Sequence, residues 1–144
     1  DPTLVLVLRR NGLSWRLETK LRATSALSFS LKGGRQVTPG LGFQSDYVIQ
    51  QDYSLEATLA LGQRSILSVM PTYRKRDYRN SIVPAPGILL LEEDDTIGVS
   101  SRLSYQIGRK IGLLLDAGYD KRNSNLSVYD TDNFRGGVGV ELKL

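Results

Sequence analysis

Reactive chemistry in this chain would have to come from carboxylates, basic groups and hydroxyls, because its 144 residues include neither cysteine nor histidine. That removes disulfides, thiolate metal sites and cysteine nucleophiles. It also removes the commonest general base, the commonest metal ligand and the usual partner of a serine nucleophile. Three groupings remain. Glu92-Glu93-Asp94-Asp95 offers four adjacent carboxylates, the donor type that a hard divalent cation such as Ca²⁺ takes. A linear run cannot surround a cation unaided, and clustered like charges usually stay hydrated, so a solvated loop is the favoured reading. Asp116 and Asp120 would sit about 13 Å apart along one strand face, too far for the carboxylate pairs of glycoside hydrolysis. Arg74-Lys75-Arg76, with Arg79, offers charge-assisted contacts to phosphate groups such as those of lipopolysaccharide, with a solvated strand end as the equal alternative. No catalytic residue, metal site or cofactor is expected, and an enzyme is disfavoured.

The elements that must position these groups are strands, because alternation runs through almost the whole chain. Leu13 to Leu21 sets Leu13, Trp15, Leu17 and Leu21 against Ser14, Arg16, Glu18 and Lys20. The same contrast marks Ala26–Arg35, Tyr47–Leu61, Ser65–Tyr78, Thr96–Ile107, Ile111–Arg122 and Asn133–Leu144. A weaker strand, Thr3–Arg10, precedes Asn11-Gly12, a type I′ hairpin signal. Eight strands result. Arg22–Ser25, Gly62–Ser65 and Gly108–Lys110 read as short turns, while Val37–Asp46, Arg79–Asp95 and Asn123–Asp132 read as long polar loops. Gly33-Gly34, Gly136-Gly137 and Gly139 read as bends in a sheet rather than phosphate loops, since no helix follows them.

Short turns at one end and long loops at the other are the layout of a transmembrane barrel. A soluble β-sandwich also needs alternating strands, but several of these run well beyond the roughly 5–6 residues usual in globular proteins. Tyr47, Tyr53, Tyr73 and Tyr119 fall on the apolar face towards the long-loop ends, and Tyr105 towards a short turn, as an aromatic girdle requires. No run approaches the roughly 20 apolar residues of a membrane helix. Lys+Arg is 19 against Asp+Glu 15, too small an excess to argue for nucleic acid without a basic cluster. The expectation is one antiparallel transmembrane β-barrel domain over residues 1–144, with eight strands visible and both termini periplasmic.

Its lumen would be lined by Arg16, Glu18, Lys20, Lys32, Asp52, Glu56, Arg74, Arg76, Arg102, Asp116, Asp120, Arg122, Arg135, Glu141 and Lys143. In a wide pore such a slightly basic lining favours anions or acidic polymers. In a closed eight-stranded barrel the same groups would pair into a plug. Either reading stands on the sequence.

Tyr119-Asp-Lys-Arg-Asn-Ser-Asn125, then Tyr129-Asp-Thr-Asp-Asn133 and Gly136-Gly-Val-Gly-Val-Glu-Leu-Lys-Leu144 resemble the final hairpin of an outer-membrane β-barrel porin family encoded with exopolysaccharide or capsule export machinery. Tyr73-Arg-Lys-Arg-Asp-Tyr78 is similar to an earlier hairpin of that type, and the resemblance runs from Leu13 onward. It implies a passive channel or export conduit in the bacterial outer membrane, with an anionic polysaccharide as cargo. Its implied partners are the lipid bilayer, lipopolysaccharide, the barrel-assembly machinery and export-complex proteins. Members are generally longer, so the start at Asp1 and the weak first strand favour the C-terminal strands of a larger barrel over a complete small one. The ending in Leu144 departs from the terminal aromatic of many outer-membrane proteins. The alternatives are a closed small barrel acting through its extracellular loops and a soluble β-sandwich binding module.

Overall fold

The computed structural model describes residues 3–8, 14–40, 45–79 and 89–142, and, for the side chains, 14–40, 45–79 and 89–142. The strands are β1 (Thr3–Leu8), β2 (Trp15–Arg22), β3 (Leu27–Pro39), β4 (Tyr47–Leu61), β5 (Ser65–Arg79), β6 (Glu93–Gln106), β7 (Ile111–Ser124) and β8 (Thr131–Leu142). They form one sheet in strict chain order, each antiparallel to the next. Among the described residues β1 and β8 do not pair, so the sheet is open and the closed eight-stranded barrel is not formed. Asn11-Gly12, Lys143 and Leu144 lie outside the described residues.

The turns follow from local chemistry. Thr24 closes the β2–β3 turn, its Oγ1 accepting from the backbone N–H groups of Ala26 and Leu27 at 3.2 and 3.0 Å. Gly62 takes φ +76° in the β4–β5 turn, a conformation that costs a residue with a Cβ. Several strands run further than their sequence contrast suggests, β3 and β6 most of all. β3 continues through Gln36 to Pro39, and β6 begins at Glu93 inside the expected Arg79–Asp95 loop.

The pairings keep one phase across the molecule, without a bulge to break it. Even-numbered residues of β2 to β7 share a face with odd-numbered residues of β8, as in Arg102↔Asp116 and Asp116↔Gly137. Because the side-chain period is two, a single slip would have inverted everything beyond it. Pro71, which has no N–H to donate, sits where the β4–β5 ladder skips from Ser54↔Thr72 to Ala57↔Val69, and the phase resumes unchanged.

The two faces differ in kind. One carries a nine-residue apolar band on strand after strand: Tyr53–Leu61, Ser65–Tyr73, Ile97–Tyr105, Ile111–Tyr119 and Phe134–Leu142. Nine residues extend about 26 Å along a strand. This face is solvent-exposed rather than packed, with Leu55 at 43%, Ile97 at 58% and Val138 at 74% exposure. The other face is polar and concave, since Arg16 of β2 and Arg135 of β8 line one groove of about 780 Å³. Among the described residues the buried apolar core is small: Val48, Tyr78 and Leu91, with Leu126 and Tyr129 packed against it.

Candidate functional site: an ion-paired concave face

Strand phase brings Arg16, Glu18, Lys20, Lys32, Asp52, Glu56, Arg74, Arg76, Arg102, Asp116, Asp120, Arg122, Arg135 and Glu141 onto this one face. Most of them meet across neighbouring strands. Asp52 accepts from Arg74 Nε at 2.6 Å, and Asp116 accepts from Arg102 Nε at 2.6 Å. Asp120 accepts from Arg135 at 2.5 Å, and Lys32 approaches Glu18 to 3.6 Å. All four pairs are at least partly open to solvent, so each contributes at most about 0.2–1 kcal/mol. Their larger effect is to fix where charge stands in the groove.

Glycine makes room for these long side chains. A Cβ at Gly118 would stand 2.8 Å from Arg135 Nε, and one at Gly98 would overlap the Asp120 carboxylate outright. Arg135 therefore lies flat across β7, which shortens its reach to Asp120. A second groove of about 590 Å³ continues the first, between Glu56, Met70, Arg102, Asp116 and Gly137.

The Glu92–Asp95 run is neither the solvated loop nor the cation site that its composition suggests. Alternation within β6 sends Asp94 to the concave face and Glu93 and Asp95 to the other. Glu93 accepts from Lys75 Nζ at 2.9 Å, and Asp95 accepts from the Tyr73 hydroxyl at 2.9 Å. Asp94 is fully buried. It accepts from the Tyr78 hydroxyl at 2.8 Å and from Arg122 at 2.5 Å, with Arg76 at 3.8 Å. Burial, and then the bond to Asp94, raise the Tyr78 hydroxyl above the ordinary phenol range, so it remains the donor. The reading of Arg74-Lys75-Arg76 as one basic rim fails for the same geometric reason. Arg74 and Arg76 turn inward to carboxylates, and only Lys75 turns outward, between Asp77 and Glu93.

Above Asp94 two loop segments fold over the concave face at the long-loop end. Leu91 packs on Val48 and Tyr78, joined by Leu126 and Tyr129, and the Arg122 guanidinium lies 5.8 Å from the Tyr129 ring centroid. Asn125 ties the segments together. Its Oδ1 accepts from the N–H groups of Glu92 and Glu93, and its Nδ2 donates to the Leu90 carbonyl at 2.9 Å. No signal of composition separates Asn125 from its polar neighbours. Asp94 was masked by its acidic neighbours, and its place opposite Arg76 follows from the β5–β6 register.

On the apolar face, Tyr53 stacks on Tyr73 with centroids 6.4 Å apart, and Trp15 tilts against Tyr53 at 6.2 Å. Trp15 and Tyr53 meet over Gly33, where a Cβ would come within 3.3 Å of Tyr53 Cδ1. Tyr119 donates to Asp132 at 3.0 Å and pairs with Phe134 across β7 and β8. These rings mark the long-loop edge of the band, and Trp15 and Phe134 join the tyrosines expected there. Tyr105, between Ser65 and Leu113, marks the short-turn edge. Tyr47 pairs with Arg79, six residues beyond Tyr53 along β4, so it stands outside that edge rather than on it.

A single antiparallel sheet with an exposed apolar band on one face and a charged groove on the other makes this an all-β protein. Residues 11–144 match the family model described as "Putative beta-barrel porin 2". The chain belongs to that β-barrel porin family. No curated protein and no solved structure matches it.

Proposed function

We propose that this chain forms the wall of an outer-membrane channel, with its apolar band against lipid and its concave face against water. One observation carries the reading: the two faces of the same strands are sorted into nine-residue apolar windows edged by aromatic rings and a groove of cross-strand ion pairs. A tilted membrane strand needs about 9–11 residues, and an outward apolar band stands about 25 Å tall. A soluble sandwich would cover that face with a second sheet, and no second sheet is among the described elements.

A channel role needs positioned charges rather than a reaction centre, and the paired arginines and carboxylates supply them. Among the described residues no cluster of three or more acidic groups is arranged to hold a metal ion. Passage of a small or polymeric anion fits the modest basic excess of the groove, and an anionic polysaccharide is one cargo of that class. Lipopolysaccharide and the assembly machinery would be the contacts of the outer face and the edge strands.

Reconstitution of the purified, folded protein into a planar bilayer tests this. Steady single-channel conductance is the expected result. Its absence from protein that shows heat-modifiable folding would move the function to the loop cluster around Leu91 and Tyr129.

A further inference from the structure

Charge on the concave face is unevenly divided between two parts of the sheet. β1 and β3 contain no Asp or Glu at all, and these are the two strands that flank β2. Among the described residues β2 therefore presents Arg16 and Lys20 with no carboxylate across either ladder and Arg22 with none across β3, and its own Glu18 is taken by Lys32. All three cations are exposed on the concave face, Arg16 lining the groove itself, and they make no ion pair among the described residues. On β4 to β8, by contrast, arginines on this face stand in reach of carboxylates, as in Arg74–Asp52 and Arg102–Asp116. Among the described residues, the cations of this face that have no ion-pair partner thus lie along one strand.

We infer that the stripe of Arg16, Lys20 and Arg22 on β2 is the element that selects anions. The inference rests on the channel reading above. Arg16 to Lys20 spans about 13 Å and Lys20 to Arg22 about 7 Å along the strand. At 0.1 M salt, where the Debye length is about 10 Å, the shorter step lies within it and the longer one only a little beyond. A paired arginine attracts an anion less, because the carboxylate that holds it repels the same ion. Glu56 and Glu141 also lack an ion-pair partner among the described residues, but they stand on β4 and β8, not on the strands that flank β2. Carboxylated or phosphorylated solutes are the class that such spaced, hydrated cations would conduct.

The test is the reversal potential of the folded protein in a planar bilayer under a KCl gradient near 0.1 M. Wild type should favour chloride. The triple variant Arg16→Gln, Lys20→Gln, Arg22→Gln should lower the anion-to-cation permeability ratio from above one to below one. Ser28→Glu with Ser30→Glu removes no cation and adds carboxylates directly opposite Arg22 and Lys20; it should shift the potential in the same direction. The neutral pair replacement Arg102→Gln, Asp116→Asn should leave its sign unchanged. A conducting triple variant with the wild-type potential overturns the inference alone. A larger shift from the Arg102–Asp116 replacement than from the triple variant overturns it as well. Folded wild-type protein that conducts nothing overturns the channel reading, and the inference with it.

Discussion

At the scale of single residues, Asp94 is the group whose surroundings leave least freedom. It is fully buried, and it holds Tyr78, Arg122 and Arg76 at the point where two loop segments close over the groove. A buried carboxylate paired this way adds little relative to an apolar replacement of all the partners, yet removing it alone strands its cations. Asp94→Ala should therefore lower unfolding stability by about 3–5 kcal/mol, read from denaturant titration of the folded protein. A loss below about 1 kcal/mol, the range of an exposed pair, would show that Arg76 and Arg122 find water instead. Gly33 makes the complementary case on the outer face. Gly33→Val should push Trp15 and Tyr53 apart, losing an aromatic contact worth about 0.5–1.5 kcal/mol and shifting the fluorescence of the chain's single tryptophan. Unchanged emission would mean that the rings do not meet over β3.

At the scale of elements, the proposed channel makes the phase of each strand decide which side chains meet lipid. Leu114 and Leu115 are adjacent in β7 and chemically identical, but Leu115 is exposed on the apolar face and Leu114 sits beside Gly139 on the concave one. Leu115→Arg should cost about 2–4 kcal/mol near the midplane and impair assembly, whereas Leu114→Arg should fold normally, scored by heat-modifiable migration. Equal tolerance at both positions would contradict the phase of β7. This phase was legible in the sequence wherever the two faces contrast, as in Leu113 to Tyr119 against Gly112 to Asp120. It was not legible in Glu93-Asp94-Asp95, where three acids in a row carry no contrast, so the start of β6 read as loop. Gly33 to Gln36 blurred β3 in the same way. Charge pairing was hidden for another reason: which arginine meets which aspartate depends on cross-strand register, fixed by all the turns together. The location of the face was readable, and its pairing was not.

At the scale of the whole molecule, the open sheet has a direct physical consequence. β8 is exposed along nearly its whole length, with Phe134 at 77% and Val138 at 74% exposure, and among the described residues no strand pairs with its outer edge. Unpaired backbone in a hydrocarbon layer costs several kcal/mol per group, so a membrane sheet has to be completed by further pairing along its edges. Backbone amide exchange in lipid or detergent should then be as slow along β8 as along β4 and β5; fast exchange confined to β8 would mean that its edge stays free. The central claim, that one face of these strands meets lipid while the other lines water, is tested most directly by spin labelling, for which the absence of native cysteine is an advantage. Single cysteines placed in turn from Leu113 to Gly118 in the reconstituted protein would each carry a nitroxide. The account predicts a period of two, with high oxygen collision at Leu113, Leu115 and Ala117. A water-soluble nickel reagent should dominate at Leu114, Asp116 and Gly118. Uniform access of the nickel reagent to all six positions would contradict it.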